Sequence, residues 1–359
     1  MKQQLFFHLG TPKTGTTSMQ RALRVLSRSR SALNKYYLYP EPIITESHMI
    51  ETCLFCREAD HVLPNLSWAP QVLKHLDETP LPNLKDLIDS WAEKLRSYQS
   101  EINLPQLPPL VLSCEFAYQA LGHQKAIRYL RERFSDYDVN FILYLRRIDM
   151  HVNSALMQTL KRGNWSGMSD YQELKHRTRK RLINRHLEMP KLLNRFGSVF
   201  GNHKIMIRPF DRACLYKGDV VSDFFRIIGL ELPESYDKSH KNITLPYDFL
   251  IYFVHKFGNP VQRSEFANKL LTLIMRKQEV LELQTDSSKF AYSPQERLEM
   301  NEAVSGTYKE LQDAYTMKAF PSVDLELVNS SEWFDLSNLD SNRLAKFDQL
   351  IADASSDVA

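Results

Sequence analysis

The chain has 359 residues, of which 43% are hydrophobic and 25% are charged, and its formal net charge is +3 at pH 7. This composition is typical of a globular protein with a large core, and so small a positive excess argues against nucleic-acid binding through bulk electrostatics. No apolar stretch approaches the roughly 20 residues of a membrane span, and Leu5 to Leu9 is too short an apolar run for a signal peptide.

The first predicted element is a buried strand that ends abruptly at Gly10. A short polar turn with Lys13 and Gly15 follows, and apolar residues at helical spacing between Met19 and Leu26 then predict a helix. Such a loop binds anions, because the first amides of the helix lack intrahelical partners and the helix dipole adds positive charge. We interpret it as a phosphate-binding loop, with Lys13 as its cation. Hydroxyl donors come from Thr14, Thr16, Thr17 and Ser18.

Strand and helix patterns then alternate as far as residue 230. They predict a short strand at Tyr36–Tyr39, helices at Glu46–Phe55 and Leu84–Ser100, and strands at Leu110–Leu112, Phe141–Leu145 and Lys204–Ile207. The alternation predicts an α/β fold, namely a P-loop-like parallel sheet flanked by helices, with a helix-rich C-terminal part. We expect a core at 1–230 with inserted helical segments, a helical extension at 231–320 packed on that core, and a docked or mobile tail at 321–359.

Chemically capable residues follow the four main predicted strands, one after each strand. They are Lys13, Glu115, Arg146 and Arg208. Ligands bind outside the carboxyl ends of the strands in sheets of this kind, so these residues are expected at one edge. Ser154 lies on the helix after Arg146 and faces away from its apolar stripe. Arg146 and Ser154 could therefore hold one phosphate together.

The segment Pro12-Lys-Thr-Gly-Thr-Thr17, directly after a first strand, resembles the 5′-phosphosulfate loop of sulfotransferases that use 3′-phosphoadenosine 5′-phosphosulfate (PAPS). The Arg146–Ser154 element resembles their 3′-phosphate site. Looser matches at 207–212, 219–230, 242–246 and 293–297 resemble bacterial, carbohydrate-sulfotransferase-like members. The resemblance implies PAPS as co-substrate and PAP as product, with no metal required. The implied nucleotide-binding residues are Pro12, Lys13, Thr14, Gly15, Thr16, Thr17, Ser18, Arg146 and Ser154.

The same resemblance implies that Lys13 neutralises the leaving phosphate oxygen while a base deprotonates the acceptor. Glu115 is one candidate, because it lies at the carboxyl end of a central strand. His48 is the competing candidate, because some carbohydrate sulfotransferases place a catalytic carboxylate in that region, and Glu46 is a third. The implied acceptor is a glycan or another molecule with a hydroxyl group. Acceptor contacts are expected at 64–82 and 161–170, where Trp165 has Lys161 and Arg162 nearby.

Three alternatives stay open at this stage. A P-loop kinase or NTPase is one, although Thr16 stands where a Walker A loop has its lysine. A non-catalytic nucleotide- or glycan-binding module is another. Cys53 and Cys56 with His48 and His61 suggest a zinc site, but no second Cys-x-x-Cys completes it. Four cysteines give no disulfide framework, so a reducing cytoplasm is expected.

Overall fold

The computed structural model describes residues 2–28, 39–40, 42, 47–59, 83–101, 107–162, 171–230, 232–233, 236, 246–257, 265–274, 290–321, 333 and 340–357. Its sheet has four parallel strands in the order β2-β1-β3-β4. The predicted α/β class, a parallel sheet flanked by helices, is confirmed. The strands are β1 (Gln3–Gly10), β2 (Leu110–Ser113), β3 (Tyr137–Leu145) and β4 (Ile205–Pro209).

The strand β1 lies inside the sheet and pairs on both sides. Leu5 is opposite Leu110 on β2 and opposite Val139 on β3. The chain leaves β1 for β2 on one side and then crosses to β3 on the other. The end of β1 is therefore the point at which the strand order reverses, which is where open α/β sheets bind ligands.

The described helices alternate with the strands in the first half of the chain and dominate the second half. The predicted helix at Glu46 begins at Met49, and residues 36–38 of the predicted second strand lie outside the described residues. No described helix has both the length and the apolar character needed to cross a bilayer. The helices are α1 (Thr16–Arg28), α2 (Met49–Glu58), α3 (Leu84–Glu101), α4 (Ala117–Ala120), α5 (Gln124–Arg133), α6 (Ile148–Arg162), α7 (Tyr171–Phe200), α8 (Val220–Ile227), α9 (Tyr247–Phe257), α10 (Glu265–Ile274), α11 (Pro294–Ala314) and α12 (Ser341–Ser356).

The chain divides into two compact units. The first comprises Met1–Arg147, Leu187–Tyr236 and Gly306–Pro321, and it holds the sheet. The second comprises Ile148–His186, Asp237–Ser305 and Ser322–Ala359. In this division α6 and the first half of α7 group with the C-terminal helices. The expected core at 1–230, with its helical extension at 231–320 and its tail at 321–359, stays a prediction.

The core of the first unit lies on both faces of the sheet. On one face, apolar residues of α1 and α8 cover β1 and β3, with Phe6, Leu23 and Phe224 all buried. On the other face, Phe141 packs edge-on against Phe196 of α7 at a centroid distance of 5.1 Å. Because both faces are covered, the apolar runs of the strands are continuous and do not alternate with polar residues.

Ion pairs to C-terminal helices explain why α6 belongs to the second unit. The buried Asp149 of α6 accepts two hydrogen bonds from Arg297 of α11, at 2.8 and 3.1 Å. The helix α12, within the predicted tail, joins the same unit. Its Arg343 pairs with the buried Asp248 of α9, and its Phe347 packs edge-on against an α9 phenylalanine at 5.2 Å.

Candidate functional site

The loop after β1 presents backbone amides at the start of α1. The first intrahelical hydrogen bond of α1 runs from the Met19 amide to the Gly15 carbonyl at 3.1 Å. The amides of Thr16, Thr17 and Ser18 precede that bond, so the helix itself supplies no acceptor for them. This end of a helix favours an anion both through its free donors and through the helix dipole.

The backbone of the loop is folded tightly by two left-handed residues. Lys13 has a φ of 67° and Gly15 has a φ of 74°. A side chain at Gly15 would also collide with Val220, whose Cγ1 would lie 2.7 Å from the added Cβ. The left-handed conformation costs a lysine about 1–2 kcal/mol, and such strain is often found at functional sites. Only a residue without a side chain can occupy position 15.

The hydroxyl groups of the loop are of two kinds. Thr14 donates to the carbonyl oxygen of Thr11 at 2.5 Å, and Thr16 donates to the same oxygen at 3.4 Å. Both threonines are buried, whereas Thr17 is exposed and Ser18 is half-buried. The first two hydroxyls therefore close the loop on itself. The hydroxyls of Thr17 and Ser18 have more access to solvent.

The end of β3 is bonded to the same loop. The amide and the hydroxyl of Thr11 both donate to the carbonyl oxygen of Tyr144, at 2.9 and 3.0 Å. One residue after β3, the guanidinium of Arg146 donates to the carbonyl oxygen of Lys13 at 3.1 Å and lies 5.5 Å from the centroid of the Phe210 ring. Two predicted site residues, Lys13 and Arg146, are therefore neighbours at one edge of the sheet.

Ser154 lies on α6, in the second unit, while Arg146 lies in the first. Its side chain is half-buried, and Val152 on the same helix is fully buried. Pro12, the first residue of the predicted motif, is half-buried in the loop of the first unit.

The end of β2 brings Glu115 to the start of the loop. The Cys114 amide donates to the His8 carbonyl at 3.0 Å. Gly10 lies so close to the backbone of Glu115 that a Cβ added there would overlap the Glu115 carbonyl oxygen. Glu115 itself is half-buried. Its backbone is therefore held against the loop after β1, as expected for neighbouring strand ends.

His48 has a different setting from the one that a general base needs. Its ring is fully buried, its Nδ1 accepts from the Ser113 amide at 3.0 Å, and its Nε2 donates to the Pro40 carbonyl at 3.1 Å. Burial lowers its pKa to about 3. The structure thus gives this imidazole two backbone partners and a neutral state. Glu46, the third candidate base, lies outside the described residues.

The sequence reasoning missed a buried polar cluster beneath Glu115. The Ser113 hydroxyl lies 2.8 Å from His8 Nδ1 and accepts from the Gln20 amide group at 3.1 Å. Burial lowers the pKa of His8 to about 3. The signal that could have found the cluster is a histidine inside the otherwise apolar run of β1. The cluster links β1, β2 and α1 directly below the loop.

Arg208 lies within the edge strand β4, one residue before its end, and its side chain serves the core. Its guanidinium forms a two-pronged ion pair with Asp223 of α8, at 2.6 and 3.1 Å. The Tyr144 hydroxyl donates to the same buried carboxylate at 2.9 Å. Of the four residues predicted at the strand ends, this one is held by a carboxylate inside the first unit.

The possible zinc residues form no metal site in the described part of the chain. Burial raises the pKa of the Cys56 thiol to about 12 and also raises that of Cys53. Both nitrogens of His48 are engaged, and His61 lies outside the described residues. Among the residues that the structure describes, no three histidine, cysteine or acidic side chains gather to hold a metal ion.

Most of the expected acceptor segments fall on residues whose structure is not described. These are 64–82 and 163–170, the second of which includes Trp165. Arg162 ends α6, and burial lowers the pKa of the neighbouring Lys161.

The chain matches no protein-family model and no curated protein sequence. The solved structures with similarity to the chain include two sulfotransferases. The sulfotransferase of Alicyclobacillus acidocaldarius is 12% identical, with 89% of this chain and 98% of that chain covered and a TM-score of 0.41. The sulfotransferase domain from the curacin biosynthetic pathway is also 12% identical, with 65% and 76% covered and a TM-score of 0.33. Likeness at this level does not decide the function, which must be argued from the residues of the site.

Proposed function

We propose that this protein is a sulfotransferase that moves a sulfuryl group from PAPS to a hydroxyl or amine of an acceptor, a saccharide above all, in the cytoplasm. The observation that carries the proposal is the bond from the Arg146 guanidinium to the Lys13 carbonyl, which holds a second basic residue against the loop at the carboxyl edge of a parallel sheet. Gly10, at the start of the same loop, lies against the backbone of Glu115. The four cysteines are free thiols, which supports a reducing compartment.

The donor set of the loop fits a phosphate. Lys13 brings a full positive charge to a loop whose amides at Thr16, Thr17 and Ser18 precede the first intrahelical bond. Arg146 offers a planar fork suited to a second phosphate, while the part expected of Ser154 in holding that phosphate stays a prediction from the sequence. Pro12, Thr14 and Gly15 would hold the loop in shape around the 5′-phosphate.

Sulfuryl transfer is an in-line displacement, in which the acceptor oxygen bonds to sulfur as the bond from sulfur to the bridging phosphate oxygen breaks. The electron pair of the broken bond stays on the phosphate of PAP. The Lys13 ammonium would neutralise that developing charge, which is the main work of an enzyme in such transfers. The Glu115 carboxylate would accept the proton of the acceptor. We assign the base to Glu115 in preference to His48, whose ring nitrogens both contact the backbone.

Binding and transfer test the proposal separately. PAP should raise the melting temperature, while ATP with Mg²⁺ should not. Labelled PAPS with a panel of saccharides and small alcohols should then yield a labelled product. Stabilisation by ATP with Mg²⁺ alone would indicate a kinase or NTPase. Stabilisation by PAP without transfer to any acceptor of the panel would indicate a non-catalytic binding module.

A further inference from the structure

The first half of α7 is strongly basic. Between residues 171 and 186, lysine or arginine occupies positions 175, 177, 179, 180, 181 and 185, and the sequence has a single acid there, Glu173. This half of the helix belongs to the second unit. These basic residues lie on different sides of the helix and differ in whether an acidic side chain pairs with them.

Part of this charge is neutralised within the second unit. Lys175 pairs with Glu296 of α11 at 2.9 Å, and Arg179 pairs with Glu299 of α11 at 2.8 Å. Arg177 pairs with Glu173 one turn earlier on its own helix, at 2.6 Å. The side of α7 that faces α11 is therefore matched by acids from another helix.

Arg181 and Arg185 are not matched in this way. In the part of the chain that the structure describes, neither guanidinium has a carboxylate within ion-pair distance. The two residues are one helical turn apart and so share a face of α7. The pKa of Arg181 is lowered by burial and, in second place, by the charge of Arg185. Arg181 is exposed and Arg185 is half-buried. Two like charges therefore lie side by side where a ligand can reach them, and an anion bound between them would relieve their repulsion.

We propose that Arg181 and Arg185, with the exposed Lys180 beside them, bind the carboxylate groups of an anionic polysaccharide. A guanidinium presents a planar fork of donors that matches a carboxylate with two parallel hydrogen bonds. We call this pair of residues the arginine surface. That the bound polysaccharide is the sulfuryl acceptor rests on the proposed function, but the binding itself does not.

The sequence around the arginine surface favours a polysaccharide over other polyanions. No aromatic residue occurs between 172 and 195, so this stretch offers neither a ring on which a nucleic-acid base could stack nor one that could enter a membrane interface. The net charge of +3 is also small for a protein that binds nucleic acid through many phosphates.

The test is direct binding of the full-length protein, without nucleotide, to fluorescently labelled polygalacturonate, whose charge comes from carboxylates alone. The double variant Arg181→Ala with Arg185→Ala should bind about tenfold more weakly or worse, because each lost contact is charge-assisted. Lys125→Ala with Arg128→Ala removes two exposed charges from α5 in the first unit and should bind as the wild type does. Neutral dextran should not bind.

Wild-type affinity in the arginine double variant, or an equal loss in the α5 variant, would overturn the proposal. Tighter binding of single-stranded DNA, lost with the same two arginines, would replace the polysaccharide by nucleic acid. If the double alanine variant fails to fold, the same binding measurement is made on Arg181→Gln with Arg185→Gln, and its result decides between the two outcomes. The polygalacturonate experiment contains no nucleotide. Its failure is therefore distinguishable from a failure of PAP to raise the melting temperature, which tests the proposed function.

Discussion

The guanidinium of Arg146 donates to the carbonyl oxygen of Lys13 at 3.1 Å, so one cation of the candidate site holds the backbone that carries the other. A second support comes from the Phe210 ring, which lies 5.5 Å from the same guanidinium. Arg146 can therefore serve a ligand in two ways, through its own charge and through the position that it gives to Lys13.

Replacing Arg146 should weaken nucleotide binding more than the loss of a surface charge would. We expect Arg146→Ala to raise the dissociation constant for PAP about tenfold to a hundredfold, which corresponds to one hydrogen bond of a charged group. Calorimetric titration measures it. The control is Arg131→Ala, which removes an exposed arginine lying 5.9 Å from the Phe200 ring. Equal affinity for PAP in the Arg146 and Arg131 variants would remove Arg146 from the binding site.

The strained lysine of the loop offers a test that separates function from folding. Lys13→Gly should abolish sulfuryl transfer while the free energy of unfolding changes by no more than about 1 kcal/mol, because relief of strain and the added flexibility of glycine oppose each other. Urea denaturation and a PAPS transfer assay measure the two effects.

Lys217 is a matched control for this experiment. Its φ is 54°, it is exposed, and it lies in the turn Tyr216–Gly218. Lys217→Gly should have a similarly small effect on stability and should leave transfer intact. Near-normal transfer by a folded Lys13→Gly protein would show that Lys13 is not part of the chemistry.

The close approach of Gly10 to Glu115 predicts a severe defect on adding one methyl group. A Cβ at Gly10 would overlap the Glu115 carbonyl, and the φ of 109° there is unfavourable for any other residue. Gly10→Ala should cost about 3 kcal/mol or more in stability. Gly306→Ala is the control, since it lies on the exposed side of α11 with open space around it and should gain up to about 1 kcal/mol. A wild-type melting temperature for Gly10→Ala would refute the close contact.

The proposed base predicts a change in the pH profile. Glu115→Gln cannot accept the acceptor's proton, so kcat should fall about a hundredfold or more and lose its dependence on an ionising base at low pH. The affinity for PAP should stay the same. Glu132→Gln, an exposed carboxylate on α5, is the control. An unchanged profile in Glu115→Gln would mean that another group removes the proton.

Buried neutral histidines should make the protein sensitive to acid. Burial lowers the pKa values of His8 and His48 to about 3, against an ordinary value near 6.5. As the pH falls below about 6.5, the unfolded chain binds these protons and the folded chain does not, so each histidine removes about 1.4 kcal/mol of stability per pH unit. Unfolding free energies from about pH 7.5 to pH 5 measure the effect, and His48→Asn should make the decline less steep. Equal steepness in both proteins would contradict the neutral state of His48.

The sheet and the loop could be predicted from sequence because their signals are local. The apolar run of β1 stops at Gly10, and the loop with Lys13 follows at once, so strand, turn and helix start are visible within a few residues. The same holds for Arg146, which directly follows the apolar end of β3. Because such signals lie within one stretch of chain, they can be interpreted without knowing which distant residues are in contact.

The settings of His48 and Arg208 could not be predicted, because they depend on partners far away along the chain or on another element. His48 exchanges two hydrogen bonds with the backbone of Ser113 on β2, and Arg208 binds Asp223 on α8. The residues next to His48 in the sequence do not predict that its side chain is buried. A charged residue near the end of a strand gives the same sequence pattern whether it binds a ligand or forms an internal ion pair.

The parallel order of the strands bears on how the protein is made. The loop after β1 leaves the ribosome before β3 does, yet it is bonded to the carbonyl of Tyr144 and to Arg146, which lie more than 130 residues later in the chain. A nascent chain that has not yet produced β3 lacks the partners of these bonds. Premature termination before that strand would thus release a fragment in which the loop lacks these bonds, and such a fragment should have lost the proposed nucleotide affinity.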